Sequence, residues 1–110
     1  MSASAGIRTW LIQRISAVFL ALYLLVFLVA LLLDPPSSYS VWLDVLKSPV
    51  VTVALVLFLV FLLAHSWVGL RDVVMDYIKP MGLRLSLLAL LGTYLAACLI
   101  YGVSILMRTL

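Results

Sequence analysis

The chain is predicted to be all-α and membrane-embedded, crossing a bilayer three times as an up-down-up bundle of helices that packs with a partner chain. Three observations predict this. Hydrophobic residues make up 67% of the 110 residues and charged ones only 10%, too little polar surface to cover the core of a small soluble domain. Mean hydropathy is +1.35. Three runs carry no formal charge, 15–33, 48–70 and 85–107, and each is close to or beyond the roughly 20 residues a helix needs to cross about 30 Å of hydrocarbon. Backbone groups in lipid must be paired within the segment, which demands helices. Strands fit poorly, because no polar/apolar alternation at period two appears. Residues 1–110 therefore read as a single membrane domain, with helices at about 15–33, 49–74 and 84–107.

The first span is too long for the apolar region of an ordinary leader and is followed by Asp34-Pro35-Pro36-Ser37 rather than a small-residue cleavage site. It is expected to be retained. The paired prolines and serines end it, and Tyr39 and Trp42 come next in a segment suited to the interface, where amphipathic aromatic rings are favoured. Pro49 opens the second span, where its missing N–H matters least. That helix is expected to run past the membrane, since nothing breaks it before Pro80. Ala17 with Ala21, Gly92 with Ala96, and Cys98 with Gly102 are each four apart and offer close helix packing, a pattern common to many bundles. Cys98 is the only cysteine, so no intrachain disulfide is available.

The net charge of +3 is spread singly at the ends of apolar runs, which argues against nucleic acid as a partner and for topology signals. Arg8 and Arg14 lie before the first span and Arg71, Lys79 and Arg84 between the second and third, against Lys47 and Arg108 on the other side. The positive-inside bias places the N-terminus in the cytoplasm and the C-terminus outside.

His65 is the only histidine. It lies six residues before Arg71, roughly 9 Å along a helix, within the cytoplasmic half of the second span. Ionisable groups at that depth face protein, water or a cofactor. Neutral imidazole is a common haem ligand, but it also serves as a simple hydrogen bonder between helices, and both uses stay open. A second histidine would have to come from another chain. Gly69, Asp72 and Asp76 lie at offsets of four, seven and eleven from it, on the same helix face. Gly69 would either admit a flat macrocycle or let two helices approach. Asp72 has the look of a solvated charge at a helix end.

Asp76 and Tyr77 fall where the second helix leaves the cytoplasmic interface. A phenol donates a hydrogen bond to a carbonyl oxygen and a carboxylate accepts or relays protons, the two functions that quinone reduction needs. The ordinary alternative is an aromatic-belt tyrosine beside a solvated aspartate. Arg14 is either a topology charge or a forked donor for a carboxylate such as a haem propionate, with Arg8 a weaker candidate for that work.

The segment His65-Ser66-Trp67-Val68-Gly69-Leu70-Arg71-Asp72-Val73-Val74-Met75-Asp76-Tyr77-Ile78-Lys79-Pro80 resembles the second-helix signature of the small hydrophobic membrane-anchor family of succinate dehydrogenase (succinate:quinone oxidoreductase, complex II): a histidine, a glycine four on, and an Asp-Tyr pair beginning seven beyond the glycine. Gln13-Arg14-Ile15-Ser16-Ala17 also resembles the start of that family's first helix. The resemblance implies that His65 is one axial ligand of haem b, shared with a second, larger membrane anchor subunit, and that Arg14 contacts a propionate. It further implies that Tyr77 hydrogen-bonds a quinone carbonyl, ubiquinone by resemblance, with Asp76 supporting that site. The implied partners are a flavoprotein with FAD and an iron–sulfur subunit, and the implied setting is the bacterial inner membrane, in the tricarboxylic acid cycle and aerobic electron transport. The chain would dock the soluble subunits and have no dehydrogenase activity alone. No firm role carries over to Trp67, Arg71 or Asp72. Two rivals are a small multidrug-type transporter, which usually has four spans and a carboxylate in the first, and a cofactor-free structural subunit of another membrane complex.

Overall fold

The structure, a computed structural model, describes residues 3–109, with side chains described from residue 6; Met1, Ser2 and Leu110 lie outside the described residues. It is entirely helical: α1 Ala3–Leu33, α2 Tyr39–Lys47, α3 Pro49–Tyr77 and α4 Met81–Thr109. The three long helices are each apolar and long enough to cross a membrane, so the expected class and span count hold. They run further than the charge-free stretches. Twenty-nine residues of α3 or α4 make a rod of about 43 Å, longer than the hydrocarbon layer. Arg8 and Arg14 lie on α1 rather than before it, because no proline or other breaker interrupts the N-terminal segment.

The loop after α1 is short. Ser38 caps α2, accepting from the Val41 N–H at 3.3 Å; this is the standard use of a serine hydroxyl at the start of a helix. The segment expected at the interface is thus a separate nine-residue helix. Thr52 donates to the Leu46 carbonyl at 2.8 Å, fastening the first turn of α3 to the end of α2. Pro49 occupies the first turn of α3 as anticipated.

α3 packs against α1 on one side and α4 on the other, and α1 and α4 share no comparable contact. Neighbouring long helices are antiparallel, as the contact register shows. Phe19 stacks on Phe61 with ring centroids 5.0 Å apart, and Tyr23 meets Phe58 edge-on at 6.1 Å. Phe27 meets Trp42 of α2 at 6.3 Å. An apolar cavity of 620 Å³ opens at this end between α1, α2 and α3. The packed layer measures 53 × 26 × 19 Å overall. Only Ser16, Leu20, Val68 and Val74 are buried among the described residues, and broad faces of Leu, Val and Ile lie open, suited to lipid and to neighbouring helices.

Small residues serve the packing unevenly. Ala17 and Ala21 are exposed, and α1 meets α3 through Ser16 and Leu20 instead. Gly92 faces Trp67, where a Cβ would stand 3.5 Å from the indole. Gly102 faces Leu59, where a Cβ would come within 2.7 Å of a methyl group. Gly92→Ala is therefore expected to leave stability within about 0.5 kcal/mol. Gly102→Leu forces Leu59 aside and should cost about 1–3 kcal/mol by overpacking. Thermal melting of the intact complex carrying each variant measures the difference, and equal melting temperatures would show that the α3–α4 contact does not depend on Gly102.

Candidate functional site

Ser16 and His65 meet where α1 crosses α3. The Ser16 Oγ lies 3.0 Å from His65 Nδ1 and 3.1 Å from the Gln13 carbonyl oxygen of its own helix. Ser16 is 2% exposed and His65 is half-buried. The His65 Nε2 has no hydrogen-bond partner among the described residues, yet it is not enclosed by the chain. One imidazole nitrogen is thus engaged by protein and the other has no hydrogen bond among the described residues.

Gly69, one turn further along α3, lies against Gln13: a Cβ there would stand 3.3 Å from the Gln13 Nε2. Of the two uses left open for this glycine, close approach of helices is the one this contact serves directly. The Gln13 Oε1 is buried with no hydrogen-bond partner among the described residues, an arrangement that costs about 1–3 kcal/mol when nothing compensates. Beyond Gly69, towards the N-terminus of α1, a cavity of 390 Å³ is lined by Gly6, Thr9, Trp10, Gln13, Arg14, Arg71 and Asp72. Arg14 is exposed, with its guanidinium carbon 5.6 Å from the centre of the Trp10 ring, close enough for a cation–π contact. His65, Gly69 and Asp72 therefore lie on the side of α3 that turns to α1. Arg71 shares the cavity with Arg14.

Asp76 and Tyr77 form the last turn of α3 and are both exposed, Tyr77 by 78%. They do not touch His65; eleven and twelve residues of helix, about 17 Å, separate them along the axis. The turn after Tyr77 is held by Arg84, whose Nε donates to the Ile78 carbonyl at 2.9 Å and whose Nη2 donates to the Met75 carbonyl at 3.0 Å. The last carbonyls of a helix lack partners of their own, and a cation at that end also meets the negative pole of the helix dipole. Pro80 keeps Lys79 out of helical geometry, and the chain re-enters a helix at Met81. Arg84 reads in sequence as a topology charge; its capping role depends on the turn geometry, which no local pattern announces. Ser16 lies within the stretch Gln13–Ala17, but its meeting with a residue 49 positions away needs the antiparallel register.

A family model described as succinate dehydrogenase/fumarate reductase transmembrane subunit matches residues 1–101. The chain belongs to that family. The match spans His65, Gly69, Asp76, Tyr77 and Arg14. Among its relatives is a succinate dehydrogenase hydrophobic membrane anchor subunit of Coxiella burnetii, 28% identical over 101 residues that cover 92% of this chain and 88% of the relative. Proteins of the same name from Rickettsia bellii and Rickettsia conorii are 33% and 32% identical, covering 79% and 84% of this chain and 70% and 75% of their own lengths. As a transmembrane subunit of this family, the chain is a multi-pass membrane protein that works within a complex. The family identification agrees with the resemblance carried by the segment from His65 to Pro80, and it removes the multidrug-type transporter.

Arg84→Ala removes both capping bonds behind Tyr77. Amide hydrogen exchange across residues 78–82 should then accelerate roughly tenfold, equivalent to about 1.4 kcal/mol, while exchange around Leu20 stays unchanged. Mass spectrometry of the detergent-solubilised complex reads this directly. Unaltered exchange in that turn would mean that something other than Arg84 secures it.

Proposed function

We propose that the chain is a membrane anchor of succinate dehydrogenase that supplies one axial ligand to a haem b shared with a second anchor subunit and completes a quinone-reduction site. The observation that carries this reading is the His65 ring within an apolar span, bonded through Nδ1 to Ser16 and with no hydrogen bond to Nε2 among the described residues. The donor set fits a haem. Nε2 offers a lone pair for iron. Two guanidinium groups, Arg14 and Arg71, line one cavity on the N-terminal side of α1, where forked donors suit propionate carboxylates. Arg71 is six residues from His65, about 9 Å of helix, a separation on the scale of a macrocycle. Gly69 contributes by letting α1 and α3 close together at Gln13. When bound, the haem supplies a one-electron relay; ligation, orientation and charge neutralisation belong to these side chains.

Quinone binding is assigned to the last turn of the same helix, one turn beyond Asp72. The Tyr77 hydroxyl is free to donate to a quinone carbonyl, fixing the ring. Asp76, the adjacent carboxylate, is placed to exchange protons with solvent as the quinone is reduced to quinol. Arg84 keeps this end of α3 in place by capping it. The charge bias puts this end in the cytoplasm, together with the N-terminus, where an iron–sulfur subunit and an FAD-bearing flavoprotein would dock. The setting is the bacterial inner membrane, with the C-terminus on the periplasmic side. Ubiquinone is the expected acceptor. Succinate oxidation belongs to the flavoprotein, and this chain has no dehydrogenase activity by itself.

Two variants test the two halves. In the purified complex, His65→Ala should abolish the low-spin haem signal of the reduced-minus-oxidised spectrum; an intact signal in an assembled complex would remove the ligand assignment. Tyr77→Phe should lower quinone reduction at least tenfold and leave succinate-dependent reduction of an artificial dye at parental rate. Quinone turnover at the parental rate would show that the phenol does not hold the substrate.

A further inference from the structure

Ser16 makes two contacts with one proton. The Gln13 carbonyl oxygen can only accept, so the bond at 3.1 Å uses the serine hydroxyl hydrogen. Ser16 then has only a lone pair to offer at its oxygen. The two contacts are satisfied together only when the 3.0 Å bond to His65 takes its hydrogen from the imidazole, with that proton on Nδ1. A neutral ring carries one such proton, so Nε2 is left with a lone pair. The arrangement is particular to this serine. Ser66, Ser86, Thr93 and Thr109 also donate to carbonyls of their own helices, at 2.7–2.9 Å, but among the described residues no side chain from another helix hydrogen-bonds their oxygens. The Ser16 oxygen is also dry, at 2% exposure, so water does not compete for the Nδ1 hydrogen.

We infer that Ser16 is a positioning residue that holds His65 as the Nδ1–H tautomer with Nε2 unprotonated. The inference rests on the proposed haem ligation. An imidazole on an apolar helix can rotate its ring and exchange the places of its two nitrogens. Ser16 selects one orientation and one tautomer, as the hydrogen-bond acceptors behind metal-bound histidines do. The acceptor also draws on the Nδ1 hydrogen, which strengthens Nε2 as a donor and favours ferric iron.

The test uses the haem-loaded complex and reads the haem midpoint potential and the low-spin paramagnetic resonance spectrum, with Ser16 changed to Ala, Cys and Thr. Ser16→Ala should raise the potential and move the largest g value. Ser16→Cys nearly keeps the volume but is a weaker acceptor, and should shift both readings the same way, by less. Ser16→Thr restores the hydroxyl and should return both to parental values. If Ala disturbs assembly, the contrast between Cys and Thr decides the matter. Haem-loaded Cys and Thr variants with the parental potential and spectrum would overturn the role of Ser16. His65→Ala in the same background separates the two readings. An unchanged haem there defeats the ligand assignment itself. Loss of the haem in His65→Ala, combined with silent Ser16 variants, defeats only the inference about Ser16.

Discussion

An imidazole inside a hydrocarbon layer has two nitrogens and little water to satisfy either, so both need a partner that protein or cofactor provides. The antiparallel register of α1 on α3 meets half of that need by setting Ser16 opposite His65. The other contacts of this interface obey the same register: Gln13 beside Gly69, Phe19 on Phe61, and Tyr23 against Phe58. A one-residue slip would turn Ser16 away from the ring and break the aromatic ladder together with it. The packing that holds the helices and the placement of the one imidazole inside the apolar spans are thus the same set of contacts.

The two ends of the helix pair differ in kind. Near α2 the space between helices is apolar, rimmed by Tyr23, Phe27 and Trp42. At the N-terminal end of α1 its lining includes the charged residues Arg14, Arg71 and Asp72. Between these ends lies the Ser16–His65 contact. The helix that bears His65 also bears Asp76 and Tyr77 at its exit. A rigid rod therefore fixes the distance between the two proposed centres, and Arg84 keeps its final turn from fraying.

Much of this is legible in the sequence. Charge-free runs mark the three spans because lipid imposes a length and excludes charge, and the offsets from His65 mark a shared helix face but not the neighbour against which it packs. Helix ends are harder. The charge-free criterion stops at Arg14, whereas α1 continues back to Ala3 because a helix does not need lipid around it to persist. The short helix α2 is visible only as an interfacial stretch with Tyr39 and Trp42, since nine residues give little periodicity. Ala17 and Ala21 look like a packing motif yet face outward, because spacing identifies a stripe without saying which neighbour it meets. Ser16, Gln13 and Arg84 are hard to read for a related reason: their partners are fixed by how helices cross or turn, which the residues near them in the chain do not encode.

The layer is one helix thick, with α3 in the middle and both broad sides uncovered. Such an arrangement has almost no inside, as the few buried residues attest. Its shape is consequently a property it holds in common with whatever lies alongside. A copy made without its neighbours would leave the broad apolar sides of this layer to lipid alone, so the stability of the chain is tied to the helices beside it.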